Sequence, residues 1–419
     1  MSVQSATPGP LTVRTVEIDR PDDLLGLLPP GGMSWVRRGE GFVAWGEAAR
    51  IDTSGAHRID EADAWWRSVS RHAVIRDDVH VPGTGLIALG SFAFADSSAA
   101  GGSLIVPRYV VGVQGDDAWL TVVSEDGLGE VPDLTQASAG RTEPEPMPTV
   151  TIDTGDKEAW STAVTAAVQR IDAGVLDKVV LARAVEAKAD APIDVRPLLT
   201  RLAADYERCW TFHVDGLVGA TPELLARVDH GLVTSRVLAG TIRPTGDETA
   251  DLAHAAALAR SSKDLEEHEY AVQSVTRVLT THCGSVNVPE APSVLHLPNV
   301  MHLATDVTGV LSHNASSLEL IRELHPSAAV CGTPTLTAAG VIDELEGLDR
   351  GRYAGPVGWI NSAGDGEWCI GLRSAEISQN DPSRLRLFAG CGIVSASEPE
   401  SEWAESEAKL EPMHRALGL

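Results

Sequence analysis

The 419-residue sequence predicts an α+β fold built on large antiparallel β-sheets. Short apolar or alternating runs recur along the chain, divided by Gly, Asp and Ser turns that favour hairpins. Helical segments stand between groups of strands instead of following single strands, which disfavours a βαβ array. A hydrophobic content of 43 % is enough for a large core.

Residues 1–149 form a β-rich N-terminal part. GLIALGSFAFAD (85–96) and YVVGVQGDDAWLTVV (109–123) are its clearest strands, the second a hairpin around Gly115-Asp116-Asp117. Trp65 and Trp66 fall in a helical segment, DEADAWWRSVSRHAV. The Pro-rich, acidic TEPEPMPT (142–149) reads as a linker. Residues 150–419 open with an amphipathic helix whose stripe is Trp160, Val164, Ala167, Val168 and Ile171, ending near Gly174. KVVLARAVEA is apolar on both faces, as a buried strand is. CWTFHV, GLVGAT, ELLARV and LVTSRVLAG follow as strands. A helical region runs from about Asp247 to His282, with a break and a fresh N-cap at Ser261-Ser262. HLATDVTGVL reads as strand, SSLELIRELHP and TAAGVIDELE as helices. GPVGWINS, GEWCIGLRSAEI and RLRLFAGCGIV are strands, and a last helix starts near Glu400.

The formal net charge is -26 and the pI about 4.8. Such a surface repels nucleic acid and anionic lipid, so neither is expected as a partner. Any site for a small anion must then be locally positive. Lysine occurs only as Lys157, Lys178, Lys188, Lys263 and Lys409, so each setting is informative. The cysteines, Cys209, Cys283, Cys331, Cys369 and Cys391, are odd in number and widely spaced, which disfavours a disulfide framework or zinc site and fits a reducing cytoplasm. MSVQSATPGPLTV shows no secretory signal, and no apolar stretch is long enough for a membrane span.

Two acidic pairs share a three-residue spacing: Asp264 and Glu267, and Glu402 and Glu405. Residues three apart share a helix face, so two helices could each offer a carboxylate pair to one hard cation such as Mg²⁺; the alternative is solvated faces of an acidic protein. Lys178 opens a buried-looking strand, on the face of Val180 and Ala182, where an apolar layer would disfavour its charge and prepare a general base. The alternative is a lysine snorkelling to water. Glu223, beside Pro222 among apolar residues, could stay protonated and act as a general acid, or be a solvated turn residue. Gly240-Thr241 and Gly390-Cys391-Gly392 follow apolar runs, and glycines at strand ends let backbone N–H groups approach an anion. Arg373 alternates with apolar neighbours along a strand and suits bidentate capture of a carboxylate. His302 lies in an apolar strand, where a satisfied core histidine is the commoner role.

DKVVLARAVE, GATPELLARV, VLAGTIRP, SSKDLEEHE, MHLATDVTG, LHPSAAVCGTP, YAGPVGWINSAGDGEWCIGLRSAEI, LFAGCGIV and SEWAESEAKL resemble, in order, the motifs of the chorismate-utilising enzymes. These comprise the isochorismate, salicylate, anthranilate and aminodeoxychorismate synthases. The resemblance spans residues 177–410, and GSFAFAD and IVPRYVV extend it into the N-terminal part. It implies one integrated α/β sandwich, helices on the outside, with the active site between its sheets. It further implies Mg²⁺ on Glu267 and Glu405, with Asp264 and Glu402 in or near the next layer. Arg373, Lys409 and backbone donors around Gly240 and Gly392 would hold the two carboxylates of chorismate, in a site shared with Thr241, His302 and Gly390. Lys178 matches the place of the base that activates water in the isochorismate and salicylate synthases. Ala239 matches the place where many aminodeoxychorismate synthases carry a nucleophilic lysine. Ala329 lies near a position where salicylate synthases tend to carry threonine. The resemblance therefore implies an isochorismate synthase needing Mg²⁺, no organic cofactor and no glutaminase subunit; cytoplasm is expected from the cysteines, and a monomer is expected. Its product would feed menaquinone, siderophore or salicylate synthesis. The alternatives are salicylate synthase, the two ammonia-using synthases, and a non-catalytic metabolite-binding protein.

Overall fold

Turn chemistry sets the strand pairing. Tyr109–Gln114 and Asp117–Ser124 pair antiparallel across a tight turn in which Gly115 takes φ +57°, a conformation most side chains resist. The computed structural model describes residues 9–127, 133–137, 142–243 and 245–419, with the main chain alone at Thr135, Thr241, Glu248 and Lys263. The first eight residues of the N-terminal segment read above lie outside this range. Among the described residues two predominantly antiparallel sheets form, of 13 and 10 strands, in the α+β class expected. Each draws strands from both sides of residue 150: Met33–Arg37 pairs with Trp210–Val214 in the larger sheet, and Ile87–Phe92 with Pro356–Asn361 in the smaller.

The inner faces of the two sheets close on an aromatic core of Trp35, Phe42, Trp119, Trp210, Phe212 and Trp359 with Leu89, Leu224 and Val357. Burying each large side chain contributes about 1.5–3 kcal/mol. Trp35 and Trp210 both donate their indole N–H to Glu367 Oε1 at 2.7 Å, so a carboxylate in this core meets the polar atoms its aromatics bring. Helices cover the outer faces. Val195–Asp205 and Pro399–Leu417 pack on the larger sheet; Arg58–His72, Ser262–His282 and Ser317–Leu324 join the cluster over the smaller one. Ser261 caps Ser262–His282 as read, accepting from Asp264 N at 3.3 Å, and Asp156, which the sequence reading did not single out, caps Lys157–Asp172 by accepting from the amides of Glu158 and Ala159. The expected break falls between Glu248–Leu258 and Ser262–His282.

Twice, side by side, the chain passes from one sheet to the other. Leu217–Thr221 belongs to the larger sheet and Leu224–Asp229 to the smaller, with Pro222 and Glu223 at the crossing. Gly366–Ile370 belongs to the smaller and Ser374–Ile377 to the larger, with Gly371, Leu372 and Arg373 at the crossing. The crossings are tied together: Ile370 N donates to Glu223 O at 3.1 Å, Ala220 N to Arg373 O at 3.2 Å, and the Thr221 hydroxyl to Ile370 O at 2.6 Å. GEWCIGLRSAEI is therefore two strands, not the single one expected. Arg373 does not alternate along a strand; it sits at the break with φ +49°. A glutamate and an arginine are thereby fixed where the sheets meet.

Candidate active site

A cavity opens at the two crossings. Glu223, Leu238, Ala239, Gly240, Glu267, His302, Ala329, Tyr353, Arg373, Gly390, Gly392 and Lys409 all line it. Lys178 stands just behind its wall, on the strand Lys178–Ala189, and is fully buried, not snorkelling. Its Nζ lies 3.1 Å from Glu267 Oε1 but makes no well-aligned hydrogen bond among the described residues. Gly392 is what lets these groups meet. A Cβ there would fall 2.1 Å from Glu267 Oε1 and 3.0 Å from the Lys178 side chain.

The acidic pairs take up the positions their spacing predicts, one near each side of the Gly390–Gly392 segment. Asp264 and Glu267 occupy the first turns of Ser262–His282, with Asp264 against the bare Cα of Gly240. Glu402 and Glu405 lie in the first turns of Pro399–Leu417. A ligand atom from each of Cys391, Glu402 and Glu405 falls within 4.8 Å of the others. Cys391 is buried and lifted well above the usual thiol range, by desolvation first and then by Glu405, Lys409 opposing, so it stays a thiol and donates to Glu402 O at 3.2 Å. The donors left are carboxylate oxygens, which fit a hard cation such as Mg²⁺. The two direct ligands expected, Glu267 and Glu405, are each held by a lysine: Glu267 by Lys178, and Glu405 by Lys409 at 2.5 Å.

Burial raises the Glu223 carboxyl to about 8, against the opposing charges of Lys178, Arg373 and Lys409. It is 5 % exposed, so the solvated-turn alternative fails, and it is protonated at neutral pH. Burial also pulls Arg373 down, and it holds His302 well below the ordinary histidine range, helped by the charges of Arg373 and Lys409. His302 is thus neutral. Its Nδ1 lies 3.1 Å from Gly240 O and its Nε2 3.0 Å from Arg373 Nη2. The only tautomer satisfying both has Nδ1–H donating to the carbonyl and Nε2 accepting from the guanidinium. His302 therefore does more than fill the core: it orients Arg373. His302→Ala is expected to raise KM for an anionic substrate about tenfold with a smaller change in kcat, the cost of an arginine left to wander; steady-state kinetics checks this. Lys409 donates to Gly390 O at 2.9 Å. Burial opposes its charge, yet the Glu405 carboxylate beside it carries the net shift upward.

The glycines serve differently from expectation. Gly390 and Gly392 lie within the strand Arg384–Ile393, opposite Ala182 and Val180, and Gly240 forms a bulge in Leu232–Ile242 at φ +69°. None sits at a strand end presenting a free row of amides. Each makes room: beside Gly240 for Asp264, beside Gly390 for the Tyr353 hydroxyl, beside Gly392 for Glu267. Thr241 pairs with His302 in the ladder, and its side chain lies outside the described residues. Sequence reasoning missed Tyr353 and Arg350. Tyr353 stacks on Phe388 at 4.9 Å. Arg350 donates to Val330 O and Val180 O and pairs with Glu346, bracing the cavity wall. Both stand in the RGRYAGPVG stretch, where an arginine and a tyrosine beside buried strand residues were the available signal.

The family model described as chorismate binding enzyme matches residues 34–418, and the chain belongs to that family. Isochorismate synthase MenF of Bacillus subtilis is 39 % identical over 267 residues, which cover 63 % of this chain and 56 % of that protein. Isochorismate synthase EntC of Escherichia coli K12 is 41 % identical over 249 residues, 58 % of this chain and 63 % of that protein. The matched stretches thus span less than two thirds of these relatives. The structure of the menaquinone-specific isochorismate synthase MenF of Escherichia coli superposes with a TM-score of 0.79 at 28 % identity, covering 98 % of this chain and 95 % of that one. No helix among the described residues is long and apolar enough to cross a membrane.

Proposed function

We propose that this chain is an isochorismate synthase: it adds water at C2 of chorismate and expels the C4 hydroxyl. The observation that carries this reading is the pairing, at one cavity, of the buried Lys178 with a Glu223 carboxyl that burial keeps protonated near pH 7. A lysine placed to take a proton and a carboxyl that still has one to give are what a hydroxyl exchange near neutrality requires. Relatives carrying the isochorismate synthase name support it.

Chorismate's two carboxylates would be taken by Arg373, aimed by His302, and by Lys409, which answers the charge problem of an acidic protein that binds a dianion. Glu267 and Glu405, with Asp264 and Glu402 behind them, would hold Mg²⁺, which when bound supplies positive charge to the ring carboxylate and engages the carboxylate that otherwise faces Lys178. Lys178 acts as the base, taking a proton from water as the water oxygen bonds to C2. The double bonds shift, the C4–O bond breaks, and Glu223 gives its proton to the departing oxygen. One water enters and one leaves; a proton returning from Lys178 to Glu223 resets the pair. Ala239 leaves room for water beside the ring, and Ala329 offers no hydroxyl to assist pyruvate loss. No organic cofactor or glutaminase subunit enters this scheme, and we place the protein in the cytoplasm as a monomer.

Because Glu223 acts only when protonated, its contribution is full well below pH 8 and is lost as the pH rises through about 8. The alkaline limb of kcat/KM for the free enzyme is expected there. A profile flat to pH 9.5 would remove Glu223 as the acid. Turnover in H₂¹⁸O tests the reaction itself: the product hydroxyl at C2 should carry one labelled oxygen. An unlabelled product would mean that the C4 oxygen migrates and that Lys178 activates no water.

A further inference from the structure

The helix Ser262–His282 has a second cluster at its other end, 15 residues from Glu267 and so about 22 Å along the axis from the candidate active site. We propose that His282, His313 and Glu319 form a separate site for a transition-metal dication of the zinc class. One ligand atom from each lies within 4.8 Å of the other two, and the two imidazole rings are 5.5 Å apart.

His282 is built as a metal ligand is built. It is 6 % exposed. Its Nε2 lies 2.9 Å from Glu323 Oε2, so that nitrogen carries the proton and donates it to a carboxylate. Its Nδ1 is left with a buried lone pair and no hydrogen-bond partner among the described residues. An unmet buried acceptor costs about 1–3 kcal/mol; His268, His325 and His414 also leave one buried nitrogen unmet, and what sets His282 apart is the second imidazole and the carboxylate grouped with it. A carboxylate on one imidazole nitrogen and an open lone pair on the other is the arrangement that orients metal-bound histidines.

The surroundings favour a cation. His282 is the last residue of a 21-residue helix, where the backbone dipole presents its negative end. Glu319 stands in the next helix, Ser317–Leu324, and Glu323 one turn further on. Arg67 and Arg322 reach into the cluster, pairing with Asp63 and Glu319, and with Asp60 and Glu323. Four carboxylates against two guanidiniums leave it anionic. His313 is exposed, on the short link between Met301–Leu311 and Ser317–Leu324. Two imidazoles and one carboxylate suit zinc, and they separate this site by chemistry from the all-carboxylate one, which suits Mg²⁺. A bound ion would join the end of one helix to the start of the next.

The test is equilibrium dialysis of the full chain against zinc chloride with millimolar Mg²⁺ present, comparing the parent with His313→Ala, an exposed position whose change leaves the core intact. The parent should hold one more zinc per chain than the variant, and zinc should raise the melting temperature of the parent alone. Glu323→Gln should weaken zinc binding by roughly 10–100-fold while leaving all three ligands. Cobalt(II) in place of zinc should give the visible absorption of a low-coordinate nitrogen and oxygen site, absent from His313→Ala. Equal zinc in parent and His313→Ala would overturn the proposal, because the metal would then sit elsewhere.

Discussion

Lys178→Ala is expected to lower kcat by roughly 10²-fold or more, the usual scale of general acid–base catalysis. Chorismate affinity should change far less, because Arg373 and Lys409 stay in place. The side chain is fully buried against Glu267, and deleting one partner of a buried pair costs about 3–5 kcal/mol of stability. A fold check by circular dichroism therefore accompanies the rate. Lys178→Gln is the sharper variant, since it keeps a polar side chain of most of the volume and removes the base. It should lose water addition, and an amine, which needs less deprotonation, becomes the better nucleophile. Isochorismate formation at near the parental rate would make Lys178 a bystander.

Glu267→Gln and Glu405→Gln are each expected to abolish turnover at ordinary Mg²⁺ concentrations. Each removes a charged oxygen from a hard-cation site. Each also strips a lysine of its counter-charge, Lys178 at 3.1 Å in the first case and Lys409 at 2.5 Å in the second. Calorimetric Mg²⁺ titration separates the two effects: lost metal affinity marks a ligand, whereas intact affinity with lost rate marks a role through the lysine alone. Full activity of both variants at low Mg²⁺ would remove them from the metal site.

Much of this was legible in the sequence because it is local. Ser261 announces a cap, Gly115 a tight turn, and the three-residue spacings put Asp264 with Glu267 and Glu402 with Glu405 on shared faces. Even the Glu405–Lys409 pair is an i,i+4 contact readable from the chain. What depends on distant segments was not. GEWCIGLRSAEI is apolar on both sides of its break, so periodicity cannot reveal that Ile370 and Ser374 belong to different sheets. The strain at Arg373 and its bond to His302, 71 residues away, follow from that crossing. The pairing of Lys178 with Glu267 joins a strand to a helix, and the room it needs is given by Gly392, which no local pattern distinguishes from a turn glycine.

Incubating the purified chain with chorismate and Mg²⁺, without ammonia, and separating the products by chromatography is the most direct measurement. Isochorismate should accumulate as the product, with no pyruvate released and with none formed when Mg²⁺ is chelated. Pyruvate together with salicylate, or an amino product appearing only when ammonia is added, would contradict the assignment of Lys178 and Glu223 to the exchange of one hydroxyl for another.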